Sequence, residues 1–125
     1  MKAVIIKQVP VKKIYAVGVP VGEYDLEKIA RINFDLFVYS YERGSYDGSG
    51  FAIWRVGGKW FYHELGHCSC YGPFERIDLS KNVGMKFKDI ARIANTHYTE
   101  HGKKVLAGIK EILKPKKKIK KINKN

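Results

Sequence analysis

Apolar and polar positions alternate along the chain with two different periods, and the change of period marks out the elements. Residues Lys2 to Val9 and Val11 to Val17 are β-branched and apolar, punctuated by Pro10 and by Gly18–Pro20; they predict two strands or one bent strand. From Glu23 to Phe34 the spacing becomes helical, with Leu26, Ile29, Ala30 and Ile32 on one side and acids in the first turn, as the helix dipole favours. Three β-like segments follow. Asp35 to Tyr41 is rich in Phe, Val and Tyr, and Phe51 to Val56 is again apolar and aromatic. Gly57-Gly58 is a two-residue hairpin signal, from which Lys59 to Glu64 pairs back. Helical spacing returns over Lys86–Tyr98 and Lys103–Leu113, and Pro115 discourages continuation. Strands early and central with flanking helices predict an α+β fold. Its expected form is an antiparallel β-meander packed against two to three helices, in one globular domain over residues 1–113.

Composition agrees with one modest core and adds an uneven charge. The 125 residues are 45% hydrophobic and carry 16 aromatics (Tyr 8, Phe 6, Trp 2), which excludes wholesale disorder. Lys7, Gln8, Lys12 and Lys13 interrupt the N-terminal apolar stretch, so neither a signal peptide nor a membrane span is expected. Two cysteines one residue apart build no disulfide framework, which points to the cytoplasm, the host's if the protein is viral. The net charge is +12. Residues 114–125 hold seven lysines and no acid, leaving 17 bases against 12 acids before them. Such a segment repels itself and reads as a disordered polylysine tail. Its functional reading is a sequence-independent grip on nucleic acid; its plain reading is a solubilising tail.

The chemistry-bearing residues cluster between Tyr39 and Pro73. His63-Glu-Leu-Gly-His67 matches HExxH, in which two histidines one helical turn apart bind Zn²⁺ and the glutamate activates the metal-bound water. That reading makes Glu64 the catalytic base of a zinc hydrolase and requires a helix from Lys59 to Tyr71, with Glu100 the candidate third ligand. On a strand, His63 and Glu64 would face opposite sides, and His67 would lie about 13 Å along the axis. Next to it, Cys68 and Cys70 form a C-x-C pair beside His67 whose thiolates and imidazole suit Zn²⁺. All four histidines fall in i, i+4 pairs, His63/His67 and His97/His101, giving six candidate ligands for a tetrahedral site. The competing readings are small buried cysteines with ordinary histidines, or a reactive thiol paired with an imidazole.

Gly44 to Gly50 lacks the Gly-Lys-Ser/Thr ending of a phosphate-binding loop and reads as a wide turn. Tyr39, Tyr41, Tyr46, Phe51, Trp54, Trp60 and Tyr62 crowd the meander, with Arg43, Arg55 and Lys59 between them. An exposed face of such rings could stack bases while the cations hold phosphates; the ordinary reading is core. Alternation puts Phe37, Tyr39 and Tyr41 on one face, and Trp54 with Ala52 and Val56. The nucleic-acid-binding candidates are therefore Arg43, Arg55 and Lys59 together with Lys116, Lys117, Lys118, Lys120 and Lys121 of the tail.

In this block the chain resembles a family of small phage and prokaryotic proteins with no assigned activity, on Tyr39-Ser-Tyr41, Gly44-Ser-Tyr-Asp-Gly48, Gly58-Lys59 and His67-Cys-Ser-Cys-Tyr-Gly72. The likeness covers about a quarter of the chain. It implies a mobile-element origin and, by analogy, a role such as inhibiting a host defence protein. It also shifts weight from His63 and Glu64 to His67, Cys68 and Cys70. The expected function is a small basic binding protein, metal-stabilised by Zn²⁺ in one version, whose partner is nucleic acid or an acidic host protein. The alternative is the zinc hydrolase.

Overall fold

A computed structural model describes residues 6–8, 14–18, 34–43, 48–67, 84–97 and 99–114. The helix expected from Glu23 to Phe34, the centre of the glycine loop, Cys68, Cys70 and the lysine tail lie outside the described residues, Phe34 apart. The fold is α+β. Five strands form one sheet in chain order: β1 (Ile6–Gln8), β2 (Ile14–Val17), β3 (Leu36–Arg43), β4 (Gly48–Val56) and β5 (Lys59–His67). Two helices follow, α1 (Phe87–Thr96) and α2 (His101–Ile112). No described helix is long and apolar enough to cross a membrane.

The central three strands are the expected antiparallel meander. Gly57 and Gly58 turn β4 into β5 with φ of 55° and 86°, both left-handed, as a type I′ turn requires and as glycine alone supplies without strain. The sheet as a whole is mixed, because β2, outside the meander, runs parallel to β3. A parallel pair needs a crossover connection, and the chain between Gly18 and Phe34 is long enough to make one. The glycine-rich segment also differs from the wide turn expected. Gly48, Ser49 and Gly50 are already strand, paired to Arg43, Glu42 and Tyr41 on one side and to His67, Gly66 and Leu65 on the other.

Alternation along β3–β5 sorts the side chains onto two faces, and both are dry at the centre: Phe51, Ala52, Ile53 and Trp54 are consecutive and all fully buried. One face carries Phe37, Tyr39, Ala52, Trp54 and Leu65. There Phe37, Trp54 and Phe61 stack across three strands, with centroids 5.5 and 5.9 Å apart and planes within 14°. The other face carries Val38, Phe51, Ile53 and Trp60 and is covered by Ile90 and Ala94 of α1 and Val105, Leu106 and Ile109 of α2. Both helices bury an apolar stripe at i, i+3, i+4 spacing and turn their lysines outward. The crowded aromatics are thus mainly core. Tyr39, Phe51, Trp54 and Trp60 have no ring face left for a base, while Tyr41, Phe61 and Tyr62 are half-buried against the same clusters.

Candidate functional site

On the helix-covered face, register places Ser40 of β3, Phe51 of β4 and Glu64 of β5 side by side in one row across the sheet. Directly above this row the chain turns from α1 into α2. His97 closes α1 and His101 opens α2, so the second histidine pair spans a helix–helix corner rather than one helix. The corner is tight. A Cβ at Gly102 would fall onto the carbonyl oxygen of Ala94, so only glycine lets the two helices approach here.

Each imidazole is seated by protein groups. His101 is buried and its Nδ1 lies 2.8 Å from the Ser40 hydroxyl, itself buried in β3. Its Nε2 faces the exposed Glu42 carboxylate at 3.9 Å, too far for a direct hydrogen bond. Burial holds His101 below its ordinary pKa, the Lys104 ammonium and His97 push the same way, and Glu42 opposes them. His101 is therefore neutral at pH 7. The His97 ring rests on Phe51, centroids 4.8 Å apart. Its Nδ1 accepts the Thr99 amide at 3.4 Å and the Thr99 hydroxyl at 2.9 Å, so the ring proton belongs on Nε2, which lies 3.1 Å from Glu64 Oε2. Thr99 Oγ1 in turn accepts the His101 amide, the first of α2, at 3.3 Å, while the N-cap residue Glu100 makes no side-chain capping bond.

This geometry corrects the reading of HELGH as a zincin helix. Residues 59–67 are strand, paired to β4 along their whole length. His63 stands opposite Ala52 on the face away from the helices, and its Nδ1 is 2.5 Å from the carbonyl of its neighbour Glu64. Glu64 points to the other face, toward His97. The two histidines of the motif sit about 13 Å apart along the strand, so the helical chelate does not form. Strand alternation prevailed because Phe61, His63 and Leu65 continue the pleat that Trp60 and Tyr62 begin. Glu100, the proposed third ligand, is exposed at the start of α2.

The other candidates separate in the same way. His97 and His101 come together, but with ring nitrogens already turned to Thr99, Glu64, Ser40 and Glu42. Among the described residues no three or more His, Cys, Asp or Glu converge as a metal site. His67 pairs through its backbone with Gly48, so these two residues share one end of the sheet. Arg43 is at that end too. Arg55 and Lys59 are at the other, so the three cations do not form one patch. Arg55 is committed structurally: its Nε lies 2.5 Å from Asp35 Oδ1 and its guanidinium sits 5.3 Å from the Trp60 ring centre. Lys59 is exposed beside the β4–β5 turn. Lys116, Lys117, Lys118, Lys120 and Lys121 lie outside the described residues.

Ser40, Thr99 and Glu42 were not anticipated. Ser40 left one legible trace, a hydroxyl in a phase of β3 otherwise set by Leu36 and Val38, and a buried polar group needs a partner. In comparisons with models of protein families, with curated proteins and with solved structures, the chain shows no match.

Proposed function

We propose that this is a non-enzymatic, cytoplasmic nucleic-acid-binding protein whose affinity is largely electrostatic. The observation that carries the reading is the charge: +12 overall, with seven lysines and no acid in residues 114–125, which follow directly on α2. Lysines neutralising phosphates release condensed counterions, which favours binding without reading sequence. The burial of the meander's rings supports a phosphate grip over base stacking. A short DNA duplex titrated by fluorescence anisotropy tests this. The logarithm of affinity should fall steeply with log salt between about 50 and 200 mM, and removing residues 115–125 should flatten the slope by about 0.9 for each phosphate the tail had neutralised. A salt-insensitive complex would rule the reading out. Binding to an acidic protein but to no nucleic acid would redirect it to the partner class that the phage and prokaryotic resemblance implies.

A zinc ion held by Cys68 and Cys70 is the second reading. It is favoured by the sequence His67-Cys-Ser-Cys70, which offers two thiolates and an imidazole within four residues. Elemental analysis of purified protein decides it: stoichiometric zinc should disappear in Cys68→Ala/Cys70→Ala, and zinc retained in that variant would dismiss the thiolates as ligands.

A further inference from the structure

We infer that the outward face of the α1–α2 layer is a docking surface for double-stranded nucleic acid; the inference rests on the function proposed above. Charge is distributed by region, not spread evenly. Residues 84–125 hold 13 Lys/Arg against 3 Asp/Glu, whereas residues 1–83 hold 11 against 9. A lysine-rich composition alone would raise both halves. Within it, residues 84–113 hold 6 Lys/Arg against 3 Asp/Glu, and the structure gives that part of the excess a place. Lys88 and Arg92 of α1 and Lys103, Lys104 and Lys110 of α2 are all exposed, while the apolar stripes of both helices are buried on the sheet. Two of the three acids are already engaged within their own helix or its end, Asp89 with Arg92 and Glu111 with Lys114. Lys88, Lys103, Lys104 and Lys110 make no ion pair among the described residues.

The geometry of the face favours a duplex over a single strand. From Lys103 to Ile112 the axis of α2 runs about 14 Å, alongside which a duplex presents roughly eight phosphate charges. Single-strand binders add aromatic platforms to their cations. Here the exposed large hydrophobics among the described residues reduce to Leu113, and Phe87 is turned against Trp60. With no exposed ring among the described residues of this face, a splayed base gains little there, and the denser charge of the duplex decides.

The test uses the full chain and a variant carrying Lys88→Gln, Lys103→Gln, Lys104→Gln and Lys110→Gln, beside the truncation after Lys114, each against one duplex and its single strand. These side chains are exposed, so circular dichroism and the thermal midpoint should be preserved. The helix variant should bind the duplex more than about tenfold more weakly at about 100 mM salt, with a salt slope shallower by about 3, and the truncated chain should keep measurable duplex binding. If the helix variant matches the parent in affinity and slope while truncation abolishes binding, the helical face is not the docking surface, though nucleic-acid binding through the tail stands. If the full chain binds neither probe, the proposed function fails and takes this inference with it. Tighter binding to the single strand than to the duplex would overturn the assignment of partner. Competition by polyglutamate as effective as that by a duplex of equal charge would do so as well.

Discussion

Two pairs of histidines share the same i, i+4 spacing, and the fold treats them in opposite ways. His63 and His67 lie on β5, where four residues of separation keep them on one face but far apart, with Glu64 turned to the other side. His97 and His101 flank a helix corner, where the chain reverses and both rings descend onto the sheet. There they meet Ser40, Phe51 and Glu64, which sit in one row only because three strands are in register. A spacing carries chemical meaning only through the element that realises it. The pair that matched a catalytic motif is dispersed, and the pair that matched none is the best-anchored polar cluster among the described residues.

Breaking the seated pair should therefore cost more than breaking the dispersed one. His101→Ala leaves a cavity and strips the buried Ser40 hydroxyl of its partner, so a loss of about 2–4 kcal/mol in urea unfolding is expected, at unchanged denaturant slope. A loss under about 0.5 kcal/mol would show that the ring is not seated as described. The same residue sets a pH dependence. Its folded pKa lies below the ordinary 6.5, so the neutral ring is the form that folding selects. The unfolded chain takes up its proton first as pH falls, so this contribution is fully present above about 6.5 and declines as pH drops from there toward the folded value. His101→Gln should remove that part of the profile, and an unaltered profile would assign the dependence to other groups. Thr99→Ala, which deletes the hydroxyl that joins His97 Nδ1 to the first amide of α2, should cost about 1 kcal/mol. His63→Ala should stay within about 0.5 kcal/mol of the parent, since the ring's one polar contact among the described residues is to its own neighbour's carbonyl. A larger cost there than for Thr99→Ala would reverse the ranking of the pairs.

Local physics made much of the architecture legible. The type I′ turn at Gly57-Gly58, the β3–β5 meander and both helices follow from residue type and period, and the helix ends fall within a few residues of expectation. The parallel β2–β3 pair was not legible, because nothing in Ile14–Val17 distinguishes a neighbour that returns antiparallel from one reached by crossover. β5, expected over Lys59–Glu64, runs on to His67, as the alternation of Phe61, His63 and Leu65 allows, and the helix that the HELGH reading requires does not form. At the site, the spacing of His97 and His101 was visible, yet their partners were not. Ser40 lies 61 residues from His101, and such a contact exists only once the tertiary structure has formed. The helical lysines were in plain view, but a charged helix face usually means solvent exposure, and only the regional imbalance gives it direction.

The position of β4 has a consequence for how the molecule can be measured. It is hydrogen-bonded to β3 and β5 along its length, and four consecutive residues at its centre are sealed from solvent on both faces. Those amides cannot trade hydrogen for deuterium through fraying or a small opening; the whole sheet must come apart first. The isotope uptake of a peptide spanning Phe51–Trp54 therefore acts as a gauge of global unfolding in plain buffer, free of denaturant. A ligand that binds only the native form slows that uptake in proportion to its occupancy, so β4 would register nucleic acid bound to the distant helical face.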